Sequence, residues 1–186
     1  VLIAPTWLPN ERNYYYENYF DIIKILINKN YQVTLRPHPE FLKRFDNKIQ
    51  EIIEKIKSEK SFNIDDSNNN FISMQQSKYL ITDWSGISLE FAFTFKRPVL
   101  FLNTKKKILN DNLNKISFNP IEISVREKIG LIINEDEKKN IEFFFKNLDE
   151  NKDEFEAKIE NCIKELTYNY GSASLEFVKH FKEYYS

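Results

Sequence analysis

The sequence contains few of the residues on which many functional sites depend. Its 186 residues include one cysteine, two histidines and three glycines. A single cysteine excludes an intrachain disulfide and fits a reducing compartment. Two histidines and one cysteine are too few for a zinc cluster of the usual ligands, so we expect neither a metal ion nor another cofactor at the functional site.

Glycine-rich loops, long apolar runs and an excess of either charge are lacking as well. The glycines form neither GxGxxG nor GxxxxGK[ST], which disfavours a dinucleotide-binding Rossmann enzyme and a P-loop NTPase. No apolar run approaches the roughly 20 residues of a membrane-spanning helix. The 27 basic and 28 acidic side chains give a net charge of −1, so we expect no nucleic-acid partner.

Apolar and aromatic residues, by contrast, are plentiful. Hydrophobic residues make up 41% of the chain and aromatic residues 15%, enough for one globular domain with a substantial core. The clearest segment is 79–103, where an apolar run, the polar turn Asp83-Trp84-Ser85-Gly86, a helical pattern and a second apolar run follow one another. This order predicts a strand, a turn, a helix and a strand.

The same alternation extends over most of the chain. Strands are predicted at 1–4, 31–35, 62–64, 79–82, 99–102 and 130–133, and helices at 14–28, 41–60, 71–77 and 137–148. Strands that alternate with helices form a mainly parallel sheet, so the predicted fold class is α/β and Rossmann-like. We expect one domain, with its core at 1–133 and helices at 134–186. The C-terminal residues predicted to face inward are Cys162, Leu175, Val178, Phe181 and Tyr185.

A ligand site is predicted where the parallel strands end. In an open parallel sheet the ligand binds beyond the carboxyl ends of the strands, near the switch point. Polar residues follow three predicted strands there: Thr6, then Arg36 with His38, then 83–88. Loops from separate parts of the chain that meet at one edge favour a binding crevice. The alternative is that Asp83 or Ser85 only caps the helix and that His38 is a surface residue in a turn.

The chemistry predicted for this crevice is the binding of a nucleoside diphosphate. Phosphate oxygens would bind the unpaired N–H groups and small side chains at the helix start, at Ser85, Gly86 and Ser88. Arg36 or a protonated His38 would neutralise the charge without a metal. Glu90, one turn into the helix, would accept hydrogen bonds from ribose hydroxyls.

Three motifs, in this order and rough spacing, are similar to those of a known family. They are Pro5-Thr6-Trp7, Arg36-Pro37-His38-Pro39 and the segment 82–92, which reads TDWSGISLEFA. Together they resemble the C-terminal half of the bacterial CDP-glycerol glycerophosphotransferase family of teichoic-acid and capsule polymer synthesis. The resemblance covers residues 1 to about 133.

The resemblance implies a GT-B architecture in which this chain is the donor-binding half. His38 would contact the donor pyrophosphate and assist the departure of CMP. The other residues expected to bind the donor and its phosphates are Thr6, Arg36, Asp83, Ser85, Gly86, Ser88 and Glu90. The chain departs from the family pattern where Trp84 replaces Tyr, Gly86 replaces Ser and Glu90 replaces Asp. Gly86 removes one hydroxyl from the phosphate site, which leaves the donor head group open.

The family's N-terminal half has a Trp-His-Gly-Thr motif with the expected catalytic base, and this sequence has no such motif. The chain also starts directly in a core strand at Val1. We therefore expect a piece of a longer protein that binds the donor and is inactive alone. The other half would bring a lipid-linked or glycan acceptor, with peripheral association at the cytoplasmic face of the cell membrane.

Two other functions fit the same residues. One is a GT-B glycosyltransferase that uses a UDP- or CMP-sugar in capsule or lipopolysaccharide assembly, which donor selectivity would distinguish. The other is a degenerate GT-B module without catalysis, against which nucleotide affinity dependent on His38 and Ser85 would count.

Overall fold

A single parallel sheet forms the centre of the protein. The computed structural model describes residues 1–7, 12–43, 53–54, 56–105, 115 and 120–185. In this part of the chain the strands are β1 Leu2–Ile3, β2 Val33–Leu35, β3 Phe62–Ile64, β4 Leu80–Thr82, β5 Val99–Leu102 and β6 Gly130–Ile133. Their order is β3-β2-β1-β4-β5-β6, and every neighbouring pair is parallel. The predicted α/β, Rossmann-like fold class is confirmed.

Helices cover the sheet between the strands. The described helices are α1 Arg12–Asn28, α2 Pro39–Leu42, α3 Phe71–Gln76, α4 Ile87–Phe95, α5 Ile121–Ser124, α6 Arg126–Ile129, a 3-10 helix Glu135–Asn140, α7 Ile141–Glu150, α8 Lys152–Leu166 and α9 Ala173–Tyr185. The helix predicted at 41–60 lies partly outside the described residues, at 44–52 and 55. None of the described helices combines the length and apolar character needed to cross a membrane.

The strands are apolar because both faces of the sheet are covered. On one face Ile3, Ile81 and Leu100 pack in a cluster with side chains of α1 and α7. On the other face their strand neighbours Leu2 and Leu80 pack with side chains of α4 and α8. The alternation of side chains along each strand therefore divides one sheet between two cores.

The C-terminal helices were predicted correctly for α8 and wrongly for α9. Cys162 in α8 is 1% exposed, as expected for a core residue. On α9, however, Leu175, Val178, Phe181 and Tyr185 are all exposed instead of facing inward. An apolar stripe predicts an amphipathic helix, but it does not say whether another element covers that stripe.

The last strand depends on a glycine because the sheet is closely packed there. Gly130 lies opposite Val99 in the register of β5 and β6, and a Cβ atom on it would lie 1.9 Å from the Val99 carbonyl oxygen. Since the clashing atom belongs to the backbone, Gly130→Ala should lower the free energy of unfolding by roughly 2–3 kcal/mol in urea denaturation.

A matched control is Gly86→Ala, because a Cβ atom at Gly86 meets nothing within 4 Å. This variant should change the free energy of unfolding by less than about 0.5 kcal/mol. Equal stability of the Gly130→Ala variant and the unchanged protein would contradict the close approach of β5 and β6.

Candidate functional site

The predicted site loops meet at the carboxyl edge of the sheet, at its topological switch point. β1 lies between β2 and β4, with Ile3 opposite Leu35 on one side and Ile81 on the other. The loops after these three strands therefore leave the sheet side by side. This is the position at which open parallel sheets bind ligands.

Asp83 faces inward and joins the loop after β4 to the loop after β1. It is 1% exposed, and its Oδ1 accepts hydrogen bonds from the backbone N–H groups of Thr6 (2.9 Å) and Trp84 (2.7 Å). Thr82 adds a second link, since its hydroxyl donates to the Ala4 carbonyl oxygen at 2.6 Å. Thr6 and Asp83 are both buried, so in this structure they position the loops and do not present side chains to a ligand.

The environment of Asp83 disfavours its charge. Burial raises the pKa of this carboxyl group from 3.8 to about 6, in spite of the hydrogen bonds from Thr6 and Trp84, the Tyr19 side chain and the nearby charge of Arg126. A buried carboxylate keeps its charge only where donors and a cation compensate the lost hydration. Asp83 therefore depends on its neighbours to remain ionised at neutral pH.

Arg126 is a site residue that the sequence did not reveal. It is 3% exposed, and its guanidinium lies 3.8 Å from the centre of the Trp84 ring. Its Nη2 donates to the Leu102 carbonyl oxygen (3.2 Å), while Trp84 Nε1 donates to the carbonyl oxygen of Thr104 (3.1 Å). Burial lowers the pKa of Arg126, and Asp83 acts in the opposite direction.

The cluster of the buried Asp83 and Arg126 with the partly buried Trp84 lies directly before the start of α4. It connects the segments after β1, β4 and β5, which the sequence separates by many residues. The sequence around Arg126 did not indicate its burial. Its neighbours Val125 and Ile129 are buried, but a single arginine between apolar residues is also common on the exposed face of a helix.

The start of α4 presents backbone donors. Ser88, Leu89 and Glu90 donate their N–H groups to the carbonyl oxygens of Ser85 and Gly86. Among the described residues, no acceptor is bonded to the N–H groups of Ser85, Gly86 and Ile87. Unpaired N–H groups at the positive end of a helix form an anion site.

The side chains around these donors differ in orientation. Ser88 is 2% exposed and donates its hydroxyl to the Ser85 carbonyl oxygen at 2.9 Å, so it closes the first turn. Ser85 is half-buried, and Gly86 is exposed with open space around it. The predicted phosphate contacts at Ser85 and Gly86 are thus accessible, whereas Ser88 faces inward.

His38 is held at the same edge by a cap and a ring contact. It precedes α2, and its Nδ1 accepts a hydrogen bond from the Glu40 backbone N–H at 3.1 Å. This bond places the hydrogen of the neutral ring on Nε2. The ring stacks on Trp7, with centroids 6.1 Å apart and planes at 20°, so His38 is aligned with the loop after β1.

Arg36 and Glu90 already have partners in the structure. The Arg36 guanidinium donates to Asp65 Oδ2 at 2.7 Å and to the Ser67 carbonyl oxygen at 2.9 Å. Glu90 accepts a hydrogen bond from Asn70 Nδ2 at 2.5 Å. Their roles toward phosphate and ribose remain predictions, and for Arg36 such a contact requires exchange of an existing ion pair.

Comparison with known protein families identifies this arrangement. Residues 1–144 match the family described as CDP-glycerol:poly(glycerophosphate) glycerophosphotransferase. The chain belongs to this family. Glycerophosphotransferases of this family are transferases, and the family implies a CDP-glycerol donor and an acceptor. Neither the curated proteins nor the solved structures gave a match to the chain.

The glycerophosphotransferase match includes all six described strands and every predicted site residue. It extends past β6 into α7, and α8 and α9 lie beyond it. The resemblance drawn from the three motifs is therefore confirmed. In the described residues no three His, Cys, Asp or Glu side chains are grouped so that they could hold a metal ion.

The Arg36–Asp65 pair of this family member should make its stability fall in acid. Burial raises the pKa of Asp65, but hydrogen bonds from Ser67, Ser73 and Arg36 lower it by more. The net result is a pKa of about 2 in place of 3.8. A carboxyl group with a lowered folded-state pKa stabilises the fold above pH 3.8 and loses this effect as the pH falls toward 2. The contribution is at most about 2 kcal/mol.

Urea denaturation of Asp65→Asn between pH 5 and pH 2 tests this prediction. The variant should be less stable than the unchanged protein at pH 5, and the difference should nearly vanish at pH 2, where a carboxyl group with a pKa of about 2 is half protonated in the folded state. A stability difference that stays constant over this range would contradict the lowered pKa of Asp65.

Proposed function

We propose that this chain is the donor-binding unit of a polyol-phosphate transferase and binds the diphosphate of CDP-glycerol or CDP-ribitol at the start of α4. The observation that supports this most directly is the set of three backbone N–H groups at 85–87 without an acceptor among the described residues. They lie at the switch point, where open parallel sheets bind ligands, and the family implies a CDP-glycerol donor. His38 and Trp7 flank the same edge.

The proposed reaction is transfer of the polyol phosphate from CMP to an acceptor hydroxyl. The hydroxyl oxygen attacks the β-phosphorus, a new P–O bond forms, and the bond from this phosphorus to the bridging oxygen breaks. A base on the acceptor-binding half takes the hydroxyl proton. Nε2–H of His38 donates to an oxygen of the departing CMP, and the donors at 85–87 bind the charge on the phosphates.

In this proposal no metal ion is needed for the transfer, because helix-end N–H groups and His38 bind the anionic oxygens. The chain would be the C-terminal half of a GT-B enzyme. The complete enzyme would extend a teichoic-acid-like or capsule polymer at the inner face of the cell membrane, with a lipid-linked or glycan acceptor bound by the other half.

Calorimetric titration of the chain with CDP-glycerol, CDP-ribitol, CMP, CDP, UDP and UDP-sugars in EDTA tests the proposal. Saturable binding led by the CDP compounds would support a metal-independent donor site. A preference for UDP compounds would instead favour a glycosyltransferase. Absence of binding by every nucleotide would contradict the assignment of donor binding to this unit.

Gly86→Ser should strengthen donor binding. The backbone of Gly86, at φ −60° and ψ −19°, accommodates serine, and open space surrounds the position. One added hydrogen bond to a phosphate is worth roughly 1 kcal/mol, so the dissociation constant for CDP-glycerol should fall about fivefold. Gly86→Ala is the control and should leave the constant unchanged. Equal effects of serine and alanine would show that the hydroxyl does not reach the donor.

A further inference from the structure

A cavity lies at the opposite edge of the sheet from the candidate donor site. It has a volume of about 330 Å³ and is lined by residues at the amino ends of β4 and β5 together with the junction of α7 and α8. β4 separates Tyr79 at this cavity from Asp83 at the donor edge. That separation is roughly 13 Å along the strand, so the two sites do not share residues.

Arg97 supplies a cation to this cavity without a matching anion. Its Nη1 donates to the carbonyl oxygens of Gln75 (3.0 Å) and Ser77 (2.7 Å). These neutral acceptors fix the guanidinium but do not compensate its charge. Within the described part of the chain, no carboxylate forms an ion pair with Arg97.

Two lysines and one carboxylate complete the charged lining. Asp149 Oδ2 accepts hydrogen bonds from Lys78 Nζ and the Tyr79 hydroxyl, both at 2.7 Å, so Lys78 balances Asp149. Lys152 has no ion-pair partner within the described residues, and its charge acts on Asp149 from a longer distance. Three cations against one carboxylate leave an excess of two positive charges.

The walls of the cavity are partly apolar. The Tyr79 ring stacks on Phe145, with centroids 4.0 Å apart and planes at 3°. Pro98 and Leu148 also line the cavity. A fixed guanidinium and an unpaired ammonium beside apolar side chains suit an anionic group that carries a small organic substituent.

We propose that this cavity is a second anion site, which binds the phosphate group of a small phosphate ester or of a phosphodiester chain. A guanidinium with free N–H groups matches phosphate oxygens, and Lys152 adds a point charge. A small phosphate ester and a phosphodiester chain both present phosphate oxygens to these cations. The phosphodiester named in the family description is poly(glycerophosphate). The site does not depend on the proposed donor-binding function.

Calorimetric titration with glycerol 3-phosphate and with a short poly(glycerol phosphate) oligomer tests the proposal, and variants of Arg97 and Lys152 assign the binding to this cavity. Binding should saturate at one equivalent and weaken several-fold when the salt concentration rises from about 50 to about 300 mM. Tighter binding of the oligomer would identify the polymer as the source, and equal binding would identify the small ester.

Two substitutions locate the site. Arg97→Gln should weaken binding about tenfold or more and Lys152→Gln about threefold, whereas Lys182→Gln on α9 should leave binding unchanged. Lys152 is exposed, so its variant retains the fold even if Arg97→Gln does not. Absence of saturation by both phosphate probes, or unchanged affinity of Lys152→Gln, would overturn the proposal.

Discussion

His38→Asn is expected to preserve the fold and to slow transfer by a factor of about 10² to 10⁴ in the protein that includes the acceptor-binding half. Asparagine is among the best helix-capping residues, so its side-chain oxygen can accept the Glu40 N–H hydrogen bond that His38 Nδ1 now accepts. The shorter asparagine side chain, with its oxygen bound to Glu40, cannot place an N–H group where Nε2–H of His38 donates to the departing CMP. The rate of CMP release at saturating CDP-glycerol measures the loss.

His38→Ala separates capping from chemistry. It should lose transfer to the same extent as His38→Asn and should also lower the free energy of unfolding by about 1 kcal/mol, because the cap is removed. Transfer at the original rate by His38→Asn would show that His38 only caps α2 and takes no part in the reaction.

Arg126→Met should lower the free energy of unfolding by about 1–3 kcal/mol at pH 7, since it removes the nearby charge that favours the Asp83 carboxylate and the hydrogen bond to the buried Leu102 carbonyl oxygen. The loss should be smaller at pH 5. Asp83 has a folded-state pKa of about 6, above its ordinary 3.8, so its protonation favours the folded state. As the pH falls through 6, the carboxyl group loses the charge that the variant can no longer compensate.

The double variant Asp83→Asn/Arg126→Met is the matched control. The asparagine Oδ1 can still accept the N–H groups of Thr6 and Trp84, and no charge remains in the cluster. It should be more stable than Arg126→Met at pH 7 and should show no such dependence on pH between 5 and 7. Urea denaturation of the unchanged protein, Arg126→Met and the double variant at pH 5 and pH 7 measures these differences. An equal loss of stability for Arg126→Met at both pH values would refute the electrostatic coupling of Arg126 and Asp83.

Most of the fold could be predicted from the sequence because short apolar strands and longer helical stripes alternate. Continuous apolar runs such as 99–102 identify strands that are covered on both faces. Once the sheet is parallel, its topology brings the loops after β1, β2 and β4 to one edge. The meeting of Thr6, His38 and Asp83 at one edge therefore followed from the order of the elements.

The orientation of individual side chains could not be predicted in the same way. A polar residue after a strand can face the ligand or the core, and local sequence does not distinguish these cases for Asp83 or Ser88. The pairing of Arg36 with Asp65 depends on residues 29 positions apart. Arg126 and the exposed face of α9 likewise depend on which distant elements approach them.

In the loop after β4, the residues that hold the loop in place differ from the residue that is open to a ligand. This division bears on how such a protein can change during evolution. Asp83 and Ser88 are buried and Trp84 is partly buried, whereas Gly86 meets open space. If the proposed donor site is correct, substitutions at Gly86 should alter ligand preference with little loss of stability. Substitutions at Gly86 leave the fold unchanged. On the proposed function, members of the family would then diverge in donor choice before any core residue changes.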